Sequence, residues 1–300
     1  MTGLASDKQA ESRMDALLRL IDDLPTVPET LVRIWQIVDD PLSTSESLAA
    51  VVRLDVPLSV KVLRLANSPF YSVGSQSVGD VSAAISMLGF ETIKHLAICV
   101  SVATSLVRDH GPRGGPLYRA LWRHSVVAGV VARRLAKLTG DRNCEEIFTA
   151  GLLHDLGKFA ILTAYAAPYG EILAARRASG RQLVELETER LGFDHALAGA
   201  EFGRSWHFPD VLTEGARGHH ARFNGAAGDE RIDRVRLTVA LADRVAHRLD
   251  PPAVDLGYDP KTAETGPLLL RLGLAPRAIE EQAARLRDDL AAARAYMEIV

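Results

Sequence analysis

Cysteine is nearly absent from this 300-residue chain: Cys99 and Cys144 are the only two, far apart and in no CxxC spacing. That excludes a disulfide framework and a thiolate zinc site. Neither has an activating signature nearby, so both read as packing residues, and their usage suits a reducing cytoplasm. An excess of one charge is also missing, since 35 Lys+Arg face 38 Asp+Glu for a net charge of -3. The overall balance thus argues against a duplex nucleic-acid binder or a polybasic membrane-surface protein. Arg133, Arg134 and Lys137 read as the solvated face of a helix. Long apolar runs are scarce: the clearest, Leu96 to Ala103, is far short of the roughly 20 residues a membrane-spanning helix needs. Met1 to Gln9 is polar where a signal peptide carries its apolar core, and Thr2 stands where myristoylation requires glycine, which argues against export or lipid anchoring.

Alternating strands joined by hairpin turns are absent too, and almost every long segment has helical periodicity, so the expected fold is all-α. What is present, 47% hydrophobic and 24% charged residues, is a globular composition. An amphipathic segment from Met14 stops at Leu24-Pro25, because the residue before proline is pushed out of the α region. Further helices are expected from Pro28, over Ser45 to Leu54, Pro57 to Ala66 and Val81 to Leu88, and then through about Leu106. Asp80 reads as an N-cap and Gly89 as a C-terminal left-handed residue. Asn67 to Gly74 reads as a turn that packs its own two rings. Asp109 to Pro116, with two prolines and three glycines, marks a subdomain boundary. Beyond it, helices are expected over Leu117 to Leu138, Glu145 to Ala164, Ile172 to Ser179, Leu183 to Gly192, Asp194 to Trp206, Val211 to His220 and Ile232 to Leu249. Asn224 to Asp229 reads as a loop, and Pro276 to Met297 as an Ala/Arg-rich helix that docks on the body or on a partner. The organisation expected is a flexible leader at 1–13, an N-terminal helical part at 14–110, a second helical part at 111–250 and a C-terminal helical extension at 251–300.

The informative residues are polar ones in apolar places. His124 has Ala120, Leu121, Val127 and Ala128 as helical neighbours, so its imidazole faces the core. Asp243 sits among Val239, Ala240, Ala246 and His247, where an unpartnered carboxylate is costly. Gly151-Leu152-Leu153-His154-Asp155-Leu156-Gly157-Lys158 sets adjacent nitrogen and oxygen ligands between glycines that let other backbones come close. His195 lies among Leu191, Gly192, Ala198 and Gly199, and His219-His220 are adjacent near a helix end. Five histidines and two aspartates without thiolate suit iron, manganese or zinc better than magnesium or calcium. Seven ligands are too many for one tetrahedral site. They suit two octahedral ions sharing a carboxylate, for which Asp155 is the natural bridge.

Several ordered motifs carry a family resemblance. Leu24-Pro25-Thr26-Val27-Pro28-Glu29, the run from Leu54 to Ser68, Ala84 to Gly89, Leu121-Trp122-Arg123-His124-Ser125 and Ala150 to Lys158 together resemble the HDOD family over roughly Leu17 to Leu249. The resemblance implies a bacterial, all-helical signalling module: an HD-like bundle with an N-terminal helical subdomain, related to metal-dependent phosphohydrolases. The order His124, His154-Asp155, His195, His219-His220, Asp243 is similar to the binuclear ligand order of HD-GYP phosphodiesterases, and Lys158 matches the lysine after their HD pair. The residues after His219-His220, Ala221 to Gly228, lack the GYP triplet and its acidic neighbour, so the resemblance does not carry over a cyclic-di-GMP substrate.

Two classes of function are compatible with these residues. In one, the chain is a regulatory module that binds the metal centre and relays a signal to a protein partner, or binds a nucleotide or phosphorylated ligand. The proposed ligands all lie outside the N-terminal half, which suits that reading. In the other, the centre hydrolyses a phosphoester of a nucleotide or small phosphorylated signal. Asp155 then bridges the ions, and Lys158 neutralises charge on the phosphate. The bland alternative for Lys158 is a surface lysine.

Overall fold

Side-chain caps set where many of the helices begin. The computed structural model describes residues 12–18, 29–40, 42–71, 77–107, 111–220, 229–251 and 265–299, and every regular element among them is a helix. These are α1 (12–18), α2 (Glu29–Asp39), α3 (Ser45–Leu54), α4 (Val56–Ala66), α5 (Val81–Leu88), α6 (Phe90–Val107), α7 (Gly111–Leu138), α8 (Cys144–Leu153) and α9 (Leu156–Ala164). They continue with α10 (Ala166–Ser179), α11 (Leu183–Leu191), α12 (His195–Ser205), α13 (Asp210–Gly218), α14 (Glu230–Leu249), α15 (Gly266–Arg271), α16 (Ala278–Glu281), α17 (Ala283–Ala292) and α18 (Arg294–Met297). Thr44 and Ser47 form a capping box on α3, while Asp55, Asp80, Asp194 and Asp229 accept the first amides of α4, α5, α12 and α14. Each cap satisfies donors that a helix start leaves orphaned.

The chain divides into two compact units, one of Met1–Leu24 with His110–Ala283 and the other of Pro25–Asp109 with Ala284–Val300. In the first, α7 packs on α8 and α14, α12 packs on α9 and α13, and α13 closes against α8 and α14. Two glycine contacts make these crossings close. A Cβ on Gly151 of α8 would lie 2.7 Å from the Ala132 Cβ of α7, and one on Gly157 of α9 would lie 1.9 Å from the His195 carbonyl oxygen of α12. In the second unit, α4 packs on α6 and receives α18. The Tyr71 and Tyr296 hydroxyls lie 2.8 Å apart there, and Phe70 is edge-on to both rings. Lys61 donates to the Ile299 carbonyl at 3.2 Å, and Arg64 pairs with Glu298. The Asn67 turn does pack its own rings over residues 67–71; Ser72 to Gly74 lie outside the described residues.

Several boundaries differ from the sequence reading. The single helix expected over Glu145 to Ala164 is two, α8 and α9, broken at His154-Asp155, where Asp155 has φ −95° and ψ 17°. Taken as one 21-residue stretch, Cys144–Ala164 is long and apolar enough to cross a membrane, as is the pair Val81–Leu88 and Phe90–Thr104, bent by 119° at its break. Some 89% of the first window is buried inside the protein. The helix expected from Leu117 starts earlier, at Gly111, inside the Pro/Gly-rich stretch. Pro112 falls in its first turn, where proline loses no hydrogen bond. The C-terminal helix is three short ones, interrupted where Gln282 and Tyr296 make i−3 amide bonds to Ile279 and Ala293. Leu24-Pro25 and Asn224 to Gly228 lie outside the described residues, and Asp229 is the N-cap of α14.

Candidate metal centre

Five elements of the first unit bring the seven sequence-predicted residues together. His124 comes from the middle of α7, His154 and Asp155 from the α8–α9 break, His195 from the first position of α12, His219-His220 from the end of α13 and Asp243 from α14. His124, His154, Asp155, His195 and His219 are all at most 2% exposed, whereas His220 lies at the exposed edge. The close α9–α12 crossing at Gly157 brings the start of α12 up to Asp155.

Asp155 stands between two sets of imidazoles. Its Oδ2 lies 3.8 Å from His124 Nε2 and 3.4 Å from His154 Nε2, and its Oδ1 lies 3.5 Å from His195 Nε2 and 3.6 Å from His219 Nε2. Asp243 Oδ1 completes the first set, 3.0 Å from His124 Nε2 and 3.5 Å from His154 Nε2. His220 Nε2 completes the second, 2.9 Å from His195 Nε2.

Hydrogen bonding on the outer side of three rings fixes which nitrogen carries the proton. His154 Nδ1 lies 2.7 Å from the Gly151 carbonyl and His219 Nδ1 2.5 Å from that of Ala216, and a carbonyl can only accept. His195 Nδ1 lies 2.6 Å from Glu187 Oε2. In each neutral ring the Nε2 lone pair therefore points inward. The buried His154 Nε2, His219 Nε2 and Asp155 Oδ1 have no hydrogen-bond partner among the described residues. Lone pairs converging on a buried carboxylate repel unless a cation lies among them, so the donor set fits divalent metal. The groups His195, His219, His220 and His124, His154, Asp155 each have ligand atoms close enough to hold an ion. His124 is different: its Nε2 meets Asp243 while its buried Nδ1 has no partner.

The electrostatics point the same way. Burial opposes charging His154, but Asp155 and Asp243 outweigh it and raise its pKa to about 10, so in the apo protein a proton occupies a place that calls for positive charge. Burial and the neighbouring His247 push His124 down to about 4. Burial alone would raise Asp155, yet His154 and Lys158 hold it well below the usual carboxylate range.

Lys158 is not a surface lysine. It is 4% exposed, and its Nζ donates to Asp155 Oδ2 at 2.8 Å. Arg133 is also less solvated than its place on the helix suggested, being paired with Glu145 at 2.6 Å. Sequence reasoning missed two residues here. His247 stacks on His124 with ring centroids 4.1 Å apart and reaches Asp243 Oδ1 at 3.2 Å; its i+4 spacing from Asp243 was the available signal. Glu187 is fully buried among Leu183, Leu186 and Leu191. A charge on an apolar stripe, the sign that marked Asp243, marks it as well.

An all-helical domain that gathers His, His-Asp, His, His-His and Asp in this order around one buried centre belongs to the class of helical proteins whose histidine–aspartate cluster can hold metal. The HDOD domain matches residues 24–222, and the chain belongs to that family. Asp243 and His247 lie beyond the matched segment. The chain is similar to an HDOD domain protein with unknown function from Geobacter sulfurreducens, with a TM-score of 0.76 and 21% identity over 97% of this chain and 99% of that one. It is also similar to a proposed phosphohydrolase from Shewanella amazonensis SB2B, with a TM-score of 0.72 and 25% identity over 94% and 98% of the two chains. An uncharacterized protein of Treponema pallidum (strain Nichols) is 26% identical over 77% of this chain, which spans 43% of that relative's length.

Proposed function

We propose that this chain is an HDOD signalling module whose first unit holds a binuclear divalent-metal centre of iron, manganese or zinc. His124, His154 and Asp243 would bind one ion, His195, His219 and His220 the other, with Asp155 shared between them. The observation that carries this reading is the two-sided setting of Asp155, with one oxygen facing each histidine set. The regulatory role rests on family membership and on the second compact unit, which contains none of these residues. Its partner would be a signalling protein, or a nucleotide or other phosphorylated ligand.

A second reading, hydrolysis of a phosphoester, is favoured by the relative named as a proposed phosphohydrolase and by the buried Lys158 ammonium beside Asp155. Bound divalent ions supply Lewis acidity toward phosphoryl oxygens and a water nucleophile at neutral pH. Lys158 would hold its charge next to the shared carboxylate and neutralise a phosphate oxygen brought there. The helices burying His154 and Asp155 would keep bulk water from all but the His220 edge.

Elemental analysis of protein purified without oxygen or added metal, beside Asp155→Asn, tests the centre. We expect about two ions per chain in the parent and a loss in the variant that still folds. No metal in the parent even after reconstitution would refute the centre. Metal retained by Asp155→Asn would refute the shared carboxylate. Metal-loaded protein that hydrolyses no phosphodiester or phosphomonoester in a broad screen would leave the regulatory role alone.

A further inference from the structure

His154 and His219 each follow the last turn of a helix, α8 and α13. A helix end leaves carbonyls without amide partners, and the i−3 carbonyls of Gly151 and Ala216 take the two Nδ1 protons. His195 cannot be held that way, because it is the first residue of α12. A helix start offers orphan N–H groups and no carbonyl pointing back along the axis. Glu187, from the preceding helix α11, supplies what the backbone lacks. Its Oε2 accepts the His195 backbone N–H at 2.9 Å and the Nδ1–H at 2.6 Å, while its Oε1 accepts the Tyr169 hydroxyl at 2.9 Å. All of Glu187 is buried, and its only ion-pair partner among the described residues is His195. An apolar side chain would fill this leucine-lined position without desolvating a charge, so the carboxylate is explained by the donors it accepts.

We infer that Glu187, held by Tyr169, is a positioning residue that sets the Nδ1–H tautomer of His195 and turns its Nε2 lone pair toward Asp155 and His220. The carboxylate's charge makes that nitrogen a stronger ligand. The inference rests on the metal-centre reading for its consequence but not for its geometry, and two readouts separate them.

The first readout is the tautomer of His195, read from imidazole 15N shifts of histidine-labelled, metal-free protein. The parent and Glu187→Gln should show Nδ1–H, since the amide oxygen can still accept. Glu187→Leu should show a mixture or the opposite tautomer. An unchanged tautomer in Glu187→Leu overturns the inference, whether or not the protein binds metal. The second readout is Co(II) affinity and the visible Co(II) spectrum. Affinity for the weaker ion should fall about 10- to 100-fold in Glu187→Leu, with a smaller fall in Glu187→Gln, where the charge is lost and an amide donor replaces the oxygen that accepts from Tyr169. Tyr169→Phe should lie between Gln and parent. A merely structural glutamate would change melting temperature in step with affinity and leave the spectrum alone, and that result overturns the inference. If the parent binds no Co(II) at all, the metal-centre reading fails, and the tautomer measurement alone decides what Glu187 does.

Discussion

Replacing Gly157 by alanine should separate the two sides of the centre without removing any ligand. The new Cβ would lie 1.9 Å from the His195 carbonyl oxygen, 2.6 Å from the Gly199 amide nitrogen and 2.8 Å from the His195 carbonyl carbon. All three are backbone atoms near the start of α12, so no side-chain rotation relieves the contact. Reaching an ordinary separation requires α12 to retreat from α9 by about 1 Å or more, given a normal Cβ contact of over 3 Å. That retreat carries His195 away from Asp155, whose Oδ1 is now 3.5 Å from Nε2. Overpacking of this kind costs about 1–3 kcal/mol, offset by at most about 1 kcal/mol from alanine's better helix propensity. A net loss of about 2 kcal/mol is expected in urea unfolding, with one of two ions lost on elemental analysis. Gly170→Ala is the control: it lies in α10 with nothing within 4 Å of its Cβ position, so alanine there should be neutral or stabilising by up to about 1 kcal/mol. If Gly157→Ala keeps parental stability and metal content, the close crossing does not position His195.

Lys158→Met should destabilise the chelator-treated protein by about 3 kcal/mol, the scale for leaving a buried charge without its partner, and by much less once Mn(II) supplies positive charge beside Asp155; equal losses with and without metal would refute that role. In the second unit, burial and then the charge of Lys94 push His95 from 6.5 down to about 3. The unfolded chain therefore binds the extra proton throughout that window, and stability is full above pH 6.5 and falls as pH is lowered. His95 should account for about 2 kcal/mol lost between pH 7 and pH 5, and His95→Leu should lose that much less by urea unfolding at the two values. The Tyr71 and Tyr296 hydroxyls share one buried hydrogen bond. Each Tyr→Phe change should cost about 1–2 kcal/mol, and the double variant little more than either alone, a coupling that a double-mutant cycle measures.

The residues that gather around Asp155 were legible because most of them break an apolar helical pattern, and such breaks stand out in a chain with so little aromatic and cysteine content. The central place of Asp155 between the two sets of imidazoles was expected from the number of candidate ligands. The break between α8 and α9 was not legible, since Cys144 to Ala164 is largely apolar and contains no proline, and Asp155, the N-cap of α9, makes no side-chain cap bond. Tertiary packing at Gly157 accounts for it. Nor could periodicity tell that Lys158 turns inward, because a lysine after a helix start is compatible with either face. Glu187 was passed over because α11 carries three other charged residues, Glu185, Glu189 and Arg190, that do face solvent and mask the one that does not. Docking of the C-terminal helix was expected, but its place on α4 left no local mark, because it depends on a single ring and a few polar contacts.

Each compact unit is stitched from two stretches of chain, and the hydroxyl pair that closes the second joins residues 225 positions apart. Synthesis from the N-terminus makes this an order of events. Residues 25–109 leave the ribosome ahead of residues 110–283 but wait for their C-terminal helices, while the histidine–aspartate segment from 124 to 247 is already complete. The unit whose larger segment is made earlier is thus the one finished last. Contacts so distant along the chain close slowly, so the histidine–aspartate cluster has the opportunity to assemble on a nascent chain whose other half is still unsealed.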